Sequence, residues 1–376
     1  MKKTLAAVAV LGAFAGSALA ADVTLYGVID TGFNWTQVKT DKVTTDSFSM
    51  ASGQNSGPRF GLKGTEDLGD GWKVGFNLEN SFNSDDGSLD KGGRLFHREA
   101  LLFVQSPYGE LSMGRTGALD AGTGRYNLMG SGATPFGTGL DTIGASTLIL
   151  MGTNSRMDNT VTYRSPTFAG VTLYAQASLK TSNQAYDEAA EKIVYDKDQE
   201  GSSDAERYYG LGAKFSAEGL NAGLVFSTTD YSRNYVNKDD DDNGYVVSGF
   251  VNYDFGMVKP MLAAQYWDKG DKLNAVKTTT TAKRTGTKGY GIELGATAPV
   301  LGGTVKAAAG WNDYEDVADT NTDYNNWMVG VSYEYKLSKR TTLYTGAGYS
   351  EVKEKAAGDT SKTKTTEVLA GLVHTF

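Results

Sequence analysis

Hydrophobic and polar side chains alternate along most of the chain, most clearly in Trp327-Met328-Val329-Gly330-Val331-Ser332-Tyr333-Glu334-Tyr335-Lys336-Leu337. Trp327, Val329, Val331, Tyr333, Tyr335 and Leu337 share one face, and Ser332, Glu334 and Lys336 the other. A period of two marks an extended strand with one apolar and one wetted side. Trp72 to Phe82 repeats it, with Trp72, Val74, Phe76, Leu78 and Phe82 opposite Lys73, Asn77, Glu79 and Ser81. Val171 to Leu179, Tyr245 to Phe255 and Thr304 to Asn312 follow the same pattern. A β-sandwich alternates too, but two features speak against one. These strands run to about 9–13 residues, close to the roughly 9–11 tilted residues that cross a bilayer and longer than the usual 5–6. Their apolar faces also begin and end in aromatics, as in Phe33 and Trp35, Trp72 and Phe82, Tyr245 and Phe255, and Trp327 and Tyr335, the layout of an interfacial girdle.

The connections alternate in length. Short turns are predicted at Leu68 to Gly71, Ser106 to Gly109, Ser165 to Gly170, Ser216 to Gly219, Phe255 to Met257, Pro299 to Gly303 and Leu337 to Arg340. Long polar segments lie near 37–55, 83–95, 117–154, 180–206, 232–243, 270–286, 315–325 and 353–364. Seven turns and eight loops predict sixteen strands in one all-β domain, a transmembrane antiparallel β-barrel. An even count puts both termini on the short-turn side, and a barrel of about 16 strands encloses an aqueous lumen.

Composition supports export. Met1-Lys2-Lys3, the apolar run Leu5 to Ala15 and Ser17-Ala18-Leu19-Ala20 predict a signal peptide over residues 1–20, leaving a barrel domain over 21–376. That run is shorter than the roughly 20 apolar residues of a membrane anchor. Two of the 36 basic and none of the 44 acidic side chains lie in the leader, so the remainder carries 34 against 44, a formal charge of −10. An acidic chain without a basic block is a poor nucleic-acid binder. There are 47 Gly, 21 Tyr, 6 Pro and no Cys, so neither disulfides nor thiolate metal sites stabilise it. The mean hydropathy of −0.36 does not argue against a barrel, because only alternate residues of its strands touch lipid.

Four segments carry a resemblance: Asp22-Val23-Thr24-Leu25-Tyr26-Gly27-Val28-Ile29-Asp30, Arg59-Phe60-Gly61-Leu62-Lys63-Gly64-Thr65-Glu66-Asp67-Leu68-Gly69, Tyr163-Arg164-Ser165-Pro166, and the end Gly371-Leu372-Val373-His374-Thr375-Phe376. In order along the chain they resemble the trimeric general porins of Gram-negative bacteria, beta-proteobacterial (neisserial-like) branch. The resemblance implies a homotrimer in the outer membrane, in contact with its lipid and lipopolysaccharide. It also implies that Phe376 is read by the barrel-assembly machinery, and that the Gly-rich loop 117–154 folds inward as a constriction. Pro135-Phe136-Gly137 looks like the family's loop-tip motif without the acid that enterobacterial relatives carry there. Opposite such a loop the family presents a basic wall, matched here by Arg59, Arg98 and Arg156.

Parity bears on these positions independently. With Phe60 and Leu62 outward, Arg59 and Lys63 point inward; with Met157, Val161 and Tyr163 outward, Arg156 points inward. Arg98 rests on the resemblance, because Glu99 to Val104 is apolar on both faces, and Arg115 shares the outward parity of Leu111 and Met113. Phe376 shares an outward face with Val368, Ala370, Leu372 and His374. Asp120 and Asp141 are the loop's only acids, so charge bookkeeping predicts a weakly anion-preferring constriction that passes ions and small hydrophilic solutes.

Other chemistry is poorly supported. Asp239-Asp240-Asp241-Asp242-Asn243-Gly244 imitates half an EF-hand, but Phe250 stands where the bidentate Glu belongs. A solvated acidic loop is expected, with lipopolysaccharide phosphates bridged through divalent cations as a subordinate reading. His97 and His374 are the only histidines, and no nucleotide fingerprint occurs, so neither an enzyme nor a cofactor is expected. The competing function is a substrate-specific channel for a small anion or sugar, but inward Tyr26, Tyr174 and Tyr344 are scattered. The small-residue stretches Thr304 to Gly310 and Leu343 to Gly348 are candidate surfaces for a second barrel.

Overall fold

The computed structural model describes residues 23–90, 94–140, 143, 146–151, 156–182, 184–187, 192–195, 200–201, 205–230, 243–270, 286–317, 319, 321–356 and 358–376. The predicted leader, Asp141 and the run Asp239 to Asp242 lie outside these residues.

The strands are β1 (Thr24–Thr40), β2 (Val43–Ser52), β3 (Arg59–Gly69), β4 (Trp72–Ser81), β5 (Glu99–Ser106), β6 (Gly109–Thr116), β7 (Met157–Arg164) and β8 (Val171–Ser178). After a small separate hairpin, β9 (Gln184–Asp187) with β10 (Lys192–Tyr195), the sheet resumes with β11 (Arg207–Ala217), β12 (Leu220–Asp230), β13 (Gly244–Tyr253) and β14 (Lys259–Gly270). It ends with β15 (Thr287–Val300), β16 (Gly303–Asp316), β17 (Asp323–Lys336), β18 (Thr341–Ala356) and β19 (Asp359–Thr375).

Neighbours in sequence pair antiparallel, and β19 returns to β1, from Val28 against Thr375 to Thr40 against Thr363. β2 and β3 share one stave: β1 meets β3 at Val28 opposite Arg59 and β2 at Thr31 opposite Ser52. The seventeen paired strands therefore make a closed barrel of sixteen staves. Closure is what lets backbone polar groups survive in hydrocarbon, where an open edge would strand its N–H and C=O groups. Among the described residues no helix is long and apolar enough to cross a membrane, and the crossings are made by strands.

The outer face exposes Leu211, Leu224, Phe226, Leu262, Ile292, Leu294, Val329 and Val331, as a lipid-facing wall requires. The tight turns use X–Gly pairs: Asp70 and Gly71 have φ of 51° and 80°, Leu301 and Gly302 of 47° and 77°. Two consecutive positive φ values are what a two-residue hairpin needs to match strand twist.

Three predicted loops are corrected. The segments 37–55 and 353–364 are mostly strand: β1 and β2 form a hairpin turning at Asp41 and Lys42, and β18 and β19 pair down to Ala356 opposite Asp359. Together they project as a strip of sheet with water on both faces, so its sequence, rich in Thr and Lys, shows no apolar alternation. Segment 180–206 carries β9 and β10.

At the seam, Gly27 and Phe376 exchange backbone hydrogen bonds of 3.0 Å, and the Phe376 ring lies across Gly27, where a Cβ would come within 2.2 Å of it. Gly27→Val is expected to weaken closure by about 1–3 kcal/mol. The readout is a lower temperature for conversion of the compact, unheated electrophoretic band to the extended one.

Candidate permeation pathway

The connection from β6 to β7 turns into the barrel. It includes two single-turn helices, α1 (Gly130–Ala133) and α2 (Ser146–Ile149). Its root is apolar: Leu119, Tyr126 and Leu128 pack on Leu101 and Val225, and Ala118 and Ala121 on Met157 and Tyr208. Farther along, Met129 and Ala133 meet Phe250 and Ala263. Phe136, Leu140 and Ile143 reach Val28, Met328, Tyr344, Leu369 and Val373 on the far wall. Coming back, Leu148 joins Ala308 and Met151 joins Trp267 and Tyr314.

Small wall residues admit this chain. A Cβ on Gly330 would fall 1.8 Å from the Ile143 carbonyl oxygen, and one on Gly291 1.9 Å from that of Leu148. The same packing explains why β5 is apolar on both sides: Leu101 and Phe103 are buried beneath the loop, while Leu102 faces outward. It also revises the small-residue stretches. Ala308, Gly346 and Gly348 lie on the inner face beneath the loop, and the alternate Val305, Ala307, Ala309, Leu343, Thr345 and Ala347 face outward.

Polar contacts fix the loop root. Arg125 makes a fork on Glu110, Nε to Oε1 at 3.0 Å and Nη2 to Oε2 at 2.9 Å, with its guanidinium 4.0 Å from the Phe103 ring centroid. Arg164 and the Tyr126 hydroxyl also donate to Glu110, at 2.9 and 2.5 Å. Asp120 corrects an expectation. It is wholly buried, accepting from the Ser227 hydroxyl at 2.6 Å and from Tyr208 at 3.3 Å, so it anchors the loop to β11 and β12 and presents no charge to the lumen. Burial pushes its carboxyl above the usual range.

The inner wall from β3 to β5 carries the opposing charges. Arg59 and Lys63 alternate with outward Phe60 and Leu62, and Lys63 Nζ stands 5.1 Å from the Tyr26 ring centroid. Glu79 serves two guanidiniums, Arg98 Nε at 2.5 Å and Arg59 Nε at 3.7 Å, with the Tyr26 hydroxyl at 3.0 Å. Arg156 lies within electrostatic reach of Arg98 and Glu79, and its Nε is buried without a hydrogen-bond partner among the described residues. Glu99 is held by the backbone N–H of Arg125 and by Thr116. Arg115, opposite outward Ala100, donates to His97 O and to Asp158, which also takes a fork from Arg94.

The parity argument for Arg156 fails even though the residue joins this cluster. Met157 is fully buried against the loop root. A bulge, with Asn159 at φ 53°, shifts the register so that Thr116 faces Met157 while Gly114 faces Thr160. Glu79, in contrast, lay on the wetted face of the Trp72 to Phe82 pattern and could have been counted from it. Phe376 extends the outward side of β19.

The family model for Gram-negative porins matches residues 6–355. The chain belongs to the Gram-negative porin family. An outer membrane porin protein of Bordetella pertussis is 32% identical over the whole of both chains. The major outer membrane protein P.IB of Neisseria meningitidis serogroup B is 26% identical over 93% of each. Among solved structures, the anion-selective porin from Comamonas acidovorans superposes with a TM-score of 0.62 at 24% identity, covering 95% of this chain and 100% of that one. This porin is thus an outer-membrane channel for passive diffusion of ions and small hydrophilic solutes.

Its bore is set by the seating of the loop. Gly330→Leu is expected to unseat the loop near Ile143 and raise single-channel conductance measurably, with the barrel still heat-modifiable on gels.

Proposed function

We propose that this porin is a general diffusion pore with a weak preference for anions, selected at Arg59, Lys63, Arg98 and Arg156. One observation supports the reading: Arg59 and Arg98 share Glu79 on the wall at β3 to β5, Arg156 just before β7 lies within electrostatic reach of them, and the neighbouring acid Glu99 is only 6% exposed. Charges on a narrow aqueous wall set its field and hence its ion preference. With Asp120 sealed away, Asp141 is the loop acid that would oppose them in this reading. The Comamonas acidovorans relative, described as anion-selective, is in keeping with it.

Reversal potentials in a KCl gradient test the proposal. The expected sign is that of chloride preference, and Arg98→Gln combined with Arg156→Gln is expected to lower the chloride-to-potassium permeability ratio by about two-fold or more. A cation-preferring wild type sinks the assignment. Conductance that saturates with one solute would favour the substrate-specific alternative.

Assembly completes the reading: a homotrimer, exported with loss of residues 1–20 and inserted through recognition of Phe376 by the barrel-assembly machinery. A Vibrio cholerae outer membrane protein of this fold has a trimer form. Crosslinking in native membranes should give a ladder ending at three protomers, and N-terminal sequencing should begin at Ala21.

A further inference from the structure

A second polar site lies at the short-turn end of the barrel, away from the wall just described. Its recess, about 490 Å³, is enclosed by the inner faces of β5 to β8 and β11, and by the turn from Ser165 to Gly170. Glu110 looks like its acidic pole but is not available as one. The carboxylate is 1% exposed and already receives four donors, from Arg125, Arg164 and Tyr126. Two guanidiniums on one carboxylate leave this corner positive.

Lys214 adds to the excess. It lies on the inner face of β11 opposite Thr172, half-buried, and meets no carboxylate among the described residues. Arg164 pairs with Tyr174 of β8, the stave between β7 and β11. Arg164 and Lys214 are thus two strand spacings apart and offset by two residues, roughly 12 Å between their Cα atoms. Both side chains are long enough to converge on one group held between them, over Thr172 and beside the Tyr174 ring.

We infer that this recess binds small phosphate monoesters. The donor set is a guanidinium with N–H groups to spare and an ammonium, beside the hydroxyl pair of Thr167 and Thr172 at 2.7 Å. It suits a compact oxyanion carrying nearly two charges, whose three oxygens accept from several directions. The volume exceeds what a bare ion needs and falls in the range of small-ligand pockets. The ligand therefore carries an organic part, for which the Tyr174 ring offers an apolar face. The site stands independently of ion selectivity at Arg59, Arg98 and Arg156, and it would retain phosphorylated solutes briefly at the inner mouth.

Single-channel recording of the full-length porin in KCl, with glucose 6-phosphate as probe, tests this. Expected are saturable current interruptions that equimolar glucose does not cause. Lys214→Gln is expected to raise the half-blocking concentration about tenfold and Lys214→Arg to preserve it, whereas Arg98→Gln should change it by less than about two-fold. Absence of saturable block overturns the inference, as does block that follows Arg98→Gln instead of Lys214→Gln. Sulfate blocking as strongly as the ester overturns the assignment to phosphate esters. Heat-modifiable migration of each variant establishes that it is folded, and because Lys214 holds no ion pair among the described residues, its replacement leaves their contacts in place.

Discussion

Everything in this molecule depends on the demand that backbone N–H and C=O groups be paired where no water reaches them. In hydrocarbon an unpaired group costs several kcal/mol, and a sheet meets the demand only by closing on itself. Once sixteen staves are joined in a ring, side-chain alternation assigns each residue to lipid or lumen. The outer face needs little beyond apolarity, and Leu224, Leu294 and Val331 serve it. The inner face is left free for charge, and for a loop that would have no place in a filled core.

That loop makes the barrel's interior lopsided. From β11 round to β1 the wall meets it with apolar or minimal side chains, such as Val225, Phe250, Ala263, Gly291, Gly330 and Leu369. Burying the loop's apolar groups offsets the entropy of ordering a long segment. From β3 to β5 the wall instead carries charged groups paired with one another, Glu79 with Arg59 and Arg98. Pore size and pore charge thus come from opposite walls, linked through Arg125 and its contacts with Glu110 and Glu99.

Much of the architecture was legible in residue order, because lipid imposes a strict period on Trp72 to Phe82 and Trp327 to Leu337. Where water wets both faces the signal vanishes, so the outer ends of β1, β2, β18 and β19 read as loops. Site residues fell into two groups. Arg59 and Lys63 follow parity directly through β3. Met157 breaks it, because the bulge at Asn159 reverses the phase. Asp120 looked like a lumen acid since its partners Tyr208 and Ser227 are 88 and 107 residues away; only the folded chain brings a hydroxyl pair to that carboxylate. Glu79 was present in the pattern, but its sharing by two arginines is a distance, which spacing alone does not contain.

The seam between β1 and β19 has a kinetic meaning. Asn34 and Glu367, hydrogen-bonded across it, are 333 residues apart in sequence, so their meeting carries nearly the largest loop-closure cost this chain can present. Until that last pairing forms, two complementary edges stay bare at the ends of an otherwise finished sheet, each a template for strands of any other chain. Joining this seam hides both edges at once, along a ladder that runs from Val28 to Thr40.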